Sequence, residues 1–342
     1  MIGVIAQHSL PNLHAAGASF WIFQAVPVLI VLFGVNMKRS LDRRGDVSLS
    51  WYVGSYLPRR MERLLIPFAL VWVVAYALGR WSGRAHVGGL ALAGALPLPA
   101  PGNYFVPMII ILTLVVPLVH AGYRRWAAAT VLALAILDLG FELVAPSVPL
   151  LMGHGQFLYN ASPFRYLVAF VAGFLLVDVA RSRPARAAAL LLVVASLVYL
   201  VLELTHGEWF GAFVSGFTRP TNLLAVPYAT ALTLLLLRAL PQTSSSVLLS
   251  AVGYAGRASF HIFLVQMVWF ALHPEHAAGP FLIGLAVCFP LGMAFFWLED
   301  LMIVRPRSTV AGAVPLLAPD RDPAPASSLR RDVLSSRRHA KQ

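Results

Sequence analysis

Cysteine and charge are scarce in this chain. Of 342 residues one is a cysteine, Cys288, and it stands inside an apolar run. Neither a disulfide framework nor a thiolate metal site is available. Charged residues make up only 12% of the chain, against about 25% in soluble domains. Acids are the rarer sign, with 14 Asp and Glu to 26 Lys and Arg. The space is filled by apolar residues, 59% of the total, and mean hydropathy is +0.76. Apolar runs of about 20 residues recur, long enough for a bilayer core of about 30 Å. The expected fold class is all-α, a polytopic transmembrane helix bundle. The net charge of +12 does not point to nucleic acid, because most of it lies in loops and in the tail. The bilayer is the partner that composition implies.

About ten helices are expected, the first of them short. From Met1 to His8 a helix rises only about 10 Å at 1.5 Å per residue, too little to cross a membrane. Either this helix is a truncated stub or the natural start lies upstream. A cleaved signal peptide is disfavoured, because no basic segment precedes the apolar one and His8, Pro11, Asn12 and His14 interrupt it. The remaining helices are expected near 20–36, 64–78, 104–121, 127–144, 165–179, 187–204, 223–240, 257–272 and 280–304. Lys and Arg alternate loop by loop. The connections after helices 2, 4, 6 and 10 are basic, while those after 3, 5, 7 and 9 are poor in both residues. The positive-inside rule then puts the 38–63 segment and the C-terminus in the cytoplasm of a multi-pass inner-membrane protein. Residues 305–342 mix Pro, Ala, Ser and Arg without apolar periodicity and read as a disordered basic tail suited to anionic lipid. Residues 1–304 form the membrane domain.

The stretch Leu-Pro-Arg-Arg-Met-Glu-Arg-Leu-Leu-Ile-Pro, 57–67, joins the basic connection to an apolar helix. Arg60 and Arg63 are three apart and share one helical face. Two guanidiniums held that way suit a polyphosphate, since each offers a planar fork of donors that does not deprotonate. The same pair also reads as positive-inside charge at a membrane edge.

Four stretches resemble the integral-membrane acyltransferases of the acyltransferase 3 type. Residues 3–9, Gly-Val-Ile-Ala-Gln-His-Ser, are similar to that family's first helix, which closes on a histidine. Residues 26–36, Val-Pro-Val-Leu-Ile-Val-Leu-Phe-Gly-Val-Asn, resemble its second helix. Arg60-x-x-Arg63 with Pro67 resembles its arginine pair. Residues 259–266, Ser-Phe-His-Ile-Phe-Leu-Val-Gln, resemble its late Ser-x-x-Ile-Tyr-Leu-x-His segment. The chain departs from the pattern in three places. Phe33-Gly34 stands for Ser-Gly, Gln266 stands for the late histidine, and the family's basic residue before the first-helix histidine would fall upstream of Met1.

The resemblance implies an acyl-CoA-dependent membrane O-acyltransferase, with acetyl-CoA as the leading co-substrate and no metal. It would place the acyl group on a hydroxyl of a sugar or other cell-envelope or exported acceptor, as in O-acetylation and polysaccharide modification. His8 would be the general base, and Arg60 and Arg63 would hold the CoA phosphates. A histidine near a helix C-terminus can also be a simple cap.

Other polar residues inside apolar runs are candidates by cost alone. Asp138 and Glu142, four apart on one face, are expected to line an acceptor pocket or to cap the bundle. Glu203 is similar. Ser259 and Gln266, seven apart with Phe263 between, share a face expected to line the substrate site. Gln24 and Asn36 read as helix–helix contacts. His154, Tyr159, Asn160 and Arg165 cluster in or beside a loop that would meet a sugar or solvent. His273 and His276 want the third ligand of a zinc site. The alternative reading is a non-catalytic transporter of a polar metabolite or glycan. Transporters often carry internal repeats, and no clear repeat is visible.

Overall fold

The computed structural model describes residues 1–10, 17–45, 47–85, 87–91, 93–98, 100–153, 156–179, 183–213, 223–239, 246–273 and 278–304. Among them there is no strand. The longer helices are α1 (Ile2–Ser9), α2 (Ala25–Arg44), α3 (Leu57–Trp81), α4 (Phe105–Val144), α5 (Leu167–Val179), α6 (Arg183–Phe213), α7 (Val226–Ala239), α8 (Val247–Arg257), α9 (Ser259–Leu272) and α10 (Ala278–Glu299). Every expected helix has a counterpart here. The expected tail from Arg305, together with His154 and His276, lies outside the described residues. The chain divides into two compact units, Met1–Phe295 and Phe296–Gln342. Of the second, the described part is the close of α10 and the π-turn Asp300–Val304.

Helix ends differ from the apolar runs, for local reasons. α2 continues past Asn36 through Lys38, Arg39, Arg43 and Arg44. Cations in a last turn suit the negative end of the helix dipole, and Gly45 at φ +78° ends the helix in a conformation that favours glycine. α3 begins at Leu57 rather than near Leu64, with Pro58 in its first turn, where a missing N–H does no harm. Before it, Ser48 Oγ accepts the Trp51 N–H at 3.2 Å, and a single π-turn covers Tyr52–Tyr56. The Tyr52 hydroxyl donates to the Thr113 carbonyl at 2.6 Å. Arg60 and Arg63 therefore sit in the opening turns of a helix and not in a loop.

α4 holds 40 residues, which would run about 60 Å if straight, twice a bilayer core. It is broken at Trp126, whose φ of −145° and ψ of 70° are not helical. A Cβ on Gly122 would stand 3.0 Å from Thr130 Oγ1, so the two arms fold back beside each other as two separate helices. α8 and α9 are likewise bent against each other, by 68°. Among the described residues, with the broken α4 counted once, five helices are long and apolar enough to cross a membrane alone, and six if the bent pair counts as one. On α6, Leu190, Leu191 and Leu192 are each more than half exposed, as a lipid-facing surface requires.

The tightest packing is between α2 and α5. A Cβ on Gly173 would lie 2.6 Å from the Val35 nitrogen and 2.8 Å from Gly34 Cα. A Cβ on Gly34 would collide with the Phe170 carbonyl oxygen. Small residues let membrane helices approach backbone to backbone, where dispersion replaces the absent hydrophobic drive. Phe33 and Phe170 flank the contact with ring centroids 5.7 Å apart. Replacing Gly173 with Ala forces the backbones apart and is expected to cost about 3 kcal/mol or more. Gly253→Ala, which meets nothing within 4 Å, should behave as wild type. Unfolding midpoints in detergent micelles check both.

Candidate active site

α1 is wedged among three elements. Ala6 packs on Ala18 and Ile22, a Cβ on Gly3 would lie 3.1 Å from the Ala25 Cβ, and Ile5 lies beside Gly284 of α10. This sets His8, half-buried in the last turn of α1, against α9. Its ring stands 5.9 Å from that of Phe270, tilted by 58°.

Phe270 belongs to a stripe. Ser259, Phe263, Gln266 and Phe270 recur at spacings of four, three and four along α9, which places them on one helical face. Phe263 meets Phe105 at 4.8 Å between centroids. Ser259 is half-buried at the bend. Gln266 is fully buried, and neither its Nε2 nor its Oε1 has a hydrogen-bond partner. A buried amide left so costs about 1–3 kcal/mol per unsatisfied group.

Arg60 and Arg63 lie toward the end where α2 finishes in Arg43 and Arg44. The Arg60 guanidinium stands 5.5 Å from the centroid of Phe33, and its Nε is buried without a partner. Arg63 is exposed. Neither is paired with a carboxylate among the described residues. Counting 1.5 Å per residue from Phe33 back to Ala25, and on from Gly3 to His8, separates the levels of Arg60 and His8 by roughly 20 Å.

A paired network lies beside Arg60's end of α2. Lys38 is 5% exposed. Its ammonium sits 2.8 Å from Asp42 and 3.4 Å from Asp178. His120 Nε2 is 3.4 Å from Asp42, and the Tyr123 hydroxyl donates to Asp178 at 3.0 Å. In sequence Lys38 reads as one more loop charge. The signal that would have found this network is the Lys38/Asp42 spacing of four inside a helix.

Asp138 and Glu142 are buried on the second arm of α4. Arg165 Nε donates to Glu142 Oε1 at 3.1 Å and the Tyr159 hydroxyl donates to Oε2 at 2.6 Å. Asp138 Oδ2 accepts the Val168 N–H at 3.2 Å, while its Oδ1 is buried without a partner. Arg165 Nη1 also donates to Asn160 Oδ1 at 2.6 Å. Asn160 in turn lines a cleft of about 900 Å³, walled also by Arg84, Asn103, Tyr104, Leu150 and Phe157. The cleft touches the α9 stripe, because Gly102, in its wall, faces the Phe263 ring; a Cβ there would lie 3.3 Å from it. Gly102 has φ +79°, a second reason for glycine.

The expected residues thus form three groups. His8 and Gln266 are drawn to one helix face, with Ser259 on the same face. Arg60 and Arg63 stand together, away from His8. Asp138 and Glu142 join Arg165 and reach the cleft only through it. Gln24, fully buried, donates through Nε2 to the Ser19 carbonyl at 2.8 Å, whereas Asn36 is exposed. Glu203 accepts from Ser19 Oγ at 3.2 Å.

A helical bundle with lipid-facing leucines, buried ion pairs and a half-buried histidine against the helix that carries an orphaned amide defines an integral membrane protein with a polar interior. Residues 1–299 match the acyltransferase 3 family, whose model describes an acyltransferase domain, and the chain belongs to that family. It is a multi-pass membrane acyltransferase. No curated protein and no solved structure matches it.

The Arg165–Glu142 pair, with both side chains no more than 5% exposed, gives a stability test. Glu142→Gln keeps the shape but removes the carboxylate charge that matches the buried guanidinium, and is expected to cost about 3 kcal/mol. Lys38→Met leaves Asp42 and Asp178 facing each other. It should cost less, about 1–2 kcal/mol, since both carboxylates are partly solvated, and adding Asp178→Asn should recover part of the loss. Thermal unfolding of the purified variants in micelles reads both.

Proposed function

We propose that this protein is a membrane O-acyltransferase. It moves an acyl group, acetyl in the first instance, from cytoplasmic acyl-CoA to a hydroxyl of a carbohydrate or other cell-envelope or exported acceptor. The observation that carries the reading is Gln266. Its amide is buried with both ends unmatched, on the helix face whose next ring, Phe270, packs on His8. Buried polar groups in native proteins have partners, so an orphan here is accounted for by a ligand that brings its own.

The step balances with the residues present. His8 takes the proton of the acceptor hydroxyl as its oxygen bonds to the thioester carbonyl carbon. Gln266 Nε2 donates to the oxyanion that forms. The intermediate collapses, the carbon–sulfur bond breaks, and CoA thiolate leaves with the proton returned by the imidazolium. Arg60 and Arg63, with no carboxylate partner among the described residues, hold the CoA phosphates. The separation of roughly 20 Å between their level and that of His8 suits a pantetheine arm laid between the helices along α9, past Ser259. Asp138 and Glu142 act on the acceptor at one remove, through Arg165. The Lys/Arg bias supports a cytoplasmic arginine pair and C-terminus.

Membranes carrying the protein, given labelled acetyl-CoA, test the reading. His8→Ala should lower kcat by 10²-fold or more, on the order expected for a general base. Arg60→Ala should raise KM for acetyl-CoA with a smaller effect on kcat. Gln266→Leu should cut turnover while leaving thermal stability equal or higher, because it removes an unmatched polar group from the core. Unchanged transfer in inserted His8→Ala protein would remove the mechanism.

A further inference from the structure

The cleft near Asn160 has a chemistry of its own. Its volume of about 900 Å³ lies toward the top of the usual range for small-molecule sites, roughly 300–1,000 Å³. Two asparagines line it, and each has its oxygen already committed. Asn160 Oδ1 accepts from the Arg165 guanidinium at 2.6 Å. Asn103 Oδ1 accepts from the Leu96 backbone N–H at 2.6 Å. A guanidinium and a backbone N–H only donate, so the orientation of both amides is set and the Nδ2 donors are the ends left for the cleft. Arg165 is itself locked by buried Glu142, which makes Asn160 a rigid donor rather than an adaptable one.

The charge around the cleft has one sign. The connections that wall it, 82–104 and 145–164, hold no Asp or Glu. Glu142, which reaches Asn160 through Arg165, is neutralised by it. Arg84 lines the cleft and is exposed, with one long hydrogen bond from Nη1 to the Leu272 carbonyl at 3.4 Å. Tyr104 and Phe157 add aromatic surface, of the kind on which the apolar face of a sugar ring rests. Most of the wall is apolar; its polar side chains are two fixed amides, a tyrosine and one cation, with no carboxylate among the described residues, and that set selects for a ligand rich in acceptor oxygens and negatively charged.

We infer that this cleft binds an anionic saccharide, with Asn103 and Asn160 donating to hydroxyl and ring oxygens and Arg84 meeting its carboxylate or phosphate. The inference rests on the acyltransferase reading for the role of that saccharide as acceptor, since the cleft wall at Gly102 abuts Phe263 of the His8-facing helix. The binding itself needs no acyl donor.

The test uses the full chain in nanodiscs of zwitterionic lipid, with binding measured by calorimetry at low salt and without acyl-CoA. The probes are a galacturonic acid trimer, its carboxyl-reduced neutral counterpart, and the neutral trimer bearing one 6-phosphate. At least one charged probe should bind about tenfold more tightly than the neutral one, and the preference should shrink as salt is raised. Whichever charged probe wins identifies the anion. Arg84→Gln should bring the Kd values together, while Arg80→Gln, outside the cleft wall, should keep them apart. Asn160→Ala should weaken every probe that binds. Equal binding of charged and neutral probes, binding of none, or an unchanged preference in Arg84→Gln overturns the inference. Charged binding without acyl transfer leaves the cleft standing and removes the proposed function. Transfer to neutral acceptors without charge preference does the reverse.

Discussion

Two glycines on α2 and α5 hold the bundle at its closest point. Gly34 and Gly173 meet backbone to backbone, and what lies on either side of them follows from that approach. One turn along α2, Lys38 is brought within reach of Asp178 at 3.4 Å. Beside the contact, Phe33 is backed by Phe170 and so offers a fixed ring beneath Arg60. A bulkier residue at either glycine would move the arginine as well as the helices.

Inside a membrane-spanning bundle, the cost of an unpaired charge sorts the cations by role. Arg165 and Lys38 are buried and matched by carboxylates, so their charge is used up within the protein. Arg60 and Arg63 are not matched by any carboxylate among the described residues, and their fields remain available at one end of the bundle. The same sorting applies to neutral groups. Buried hydroxyls find partners, as Thr113 does in the Ile109 carbonyl of its own helix at 2.7 Å and Tyr159 in Glu142 at 2.6 Å. Gln266 does not, and both ends of its amide are left for a ligand.

α9 ties the parts together. Its bend from α8 sends one stripe past Gly102, where Phe263 backs the wall of a cleft, and on to Phe270 beside His8. A single helix therefore contacts both the group that would do chemistry and the wall of that cleft. Ligand groups placed on helices are held more tightly than groups on loops; of the cleft's own donors, Asn160 stands on the short helix Phe157–Ala161 and is pinned by Arg165, and Asn103, in a turn, is pinned by Leu96.

Much of this is readable along the chain. Which segments enter the bilayer depends on a local sum of side-chain transfer energies, so the helices appear where the apolar runs are. The shared face of Arg60 and Arg63, and that of Ser259 and Gln266, follows from helical spacing alone. Helix ends were less legible, since Gly45, Pro58 and the Ser48 cap act on single turns that hydropathy averages away. Lys38 looked like a solvated loop charge because its partner Asp178 lies far along the chain. Of the cleft only the cluster around Asn160 and Arg165 was visible, because the facing connection, 82–104, is rich in Gly and Pro and carries no periodicity. A one-dimensional pattern encodes burial and phase along each helix. It does not encode how two helices cross, and here a glycine contact and a 68° bend decide which polar side chains face each other.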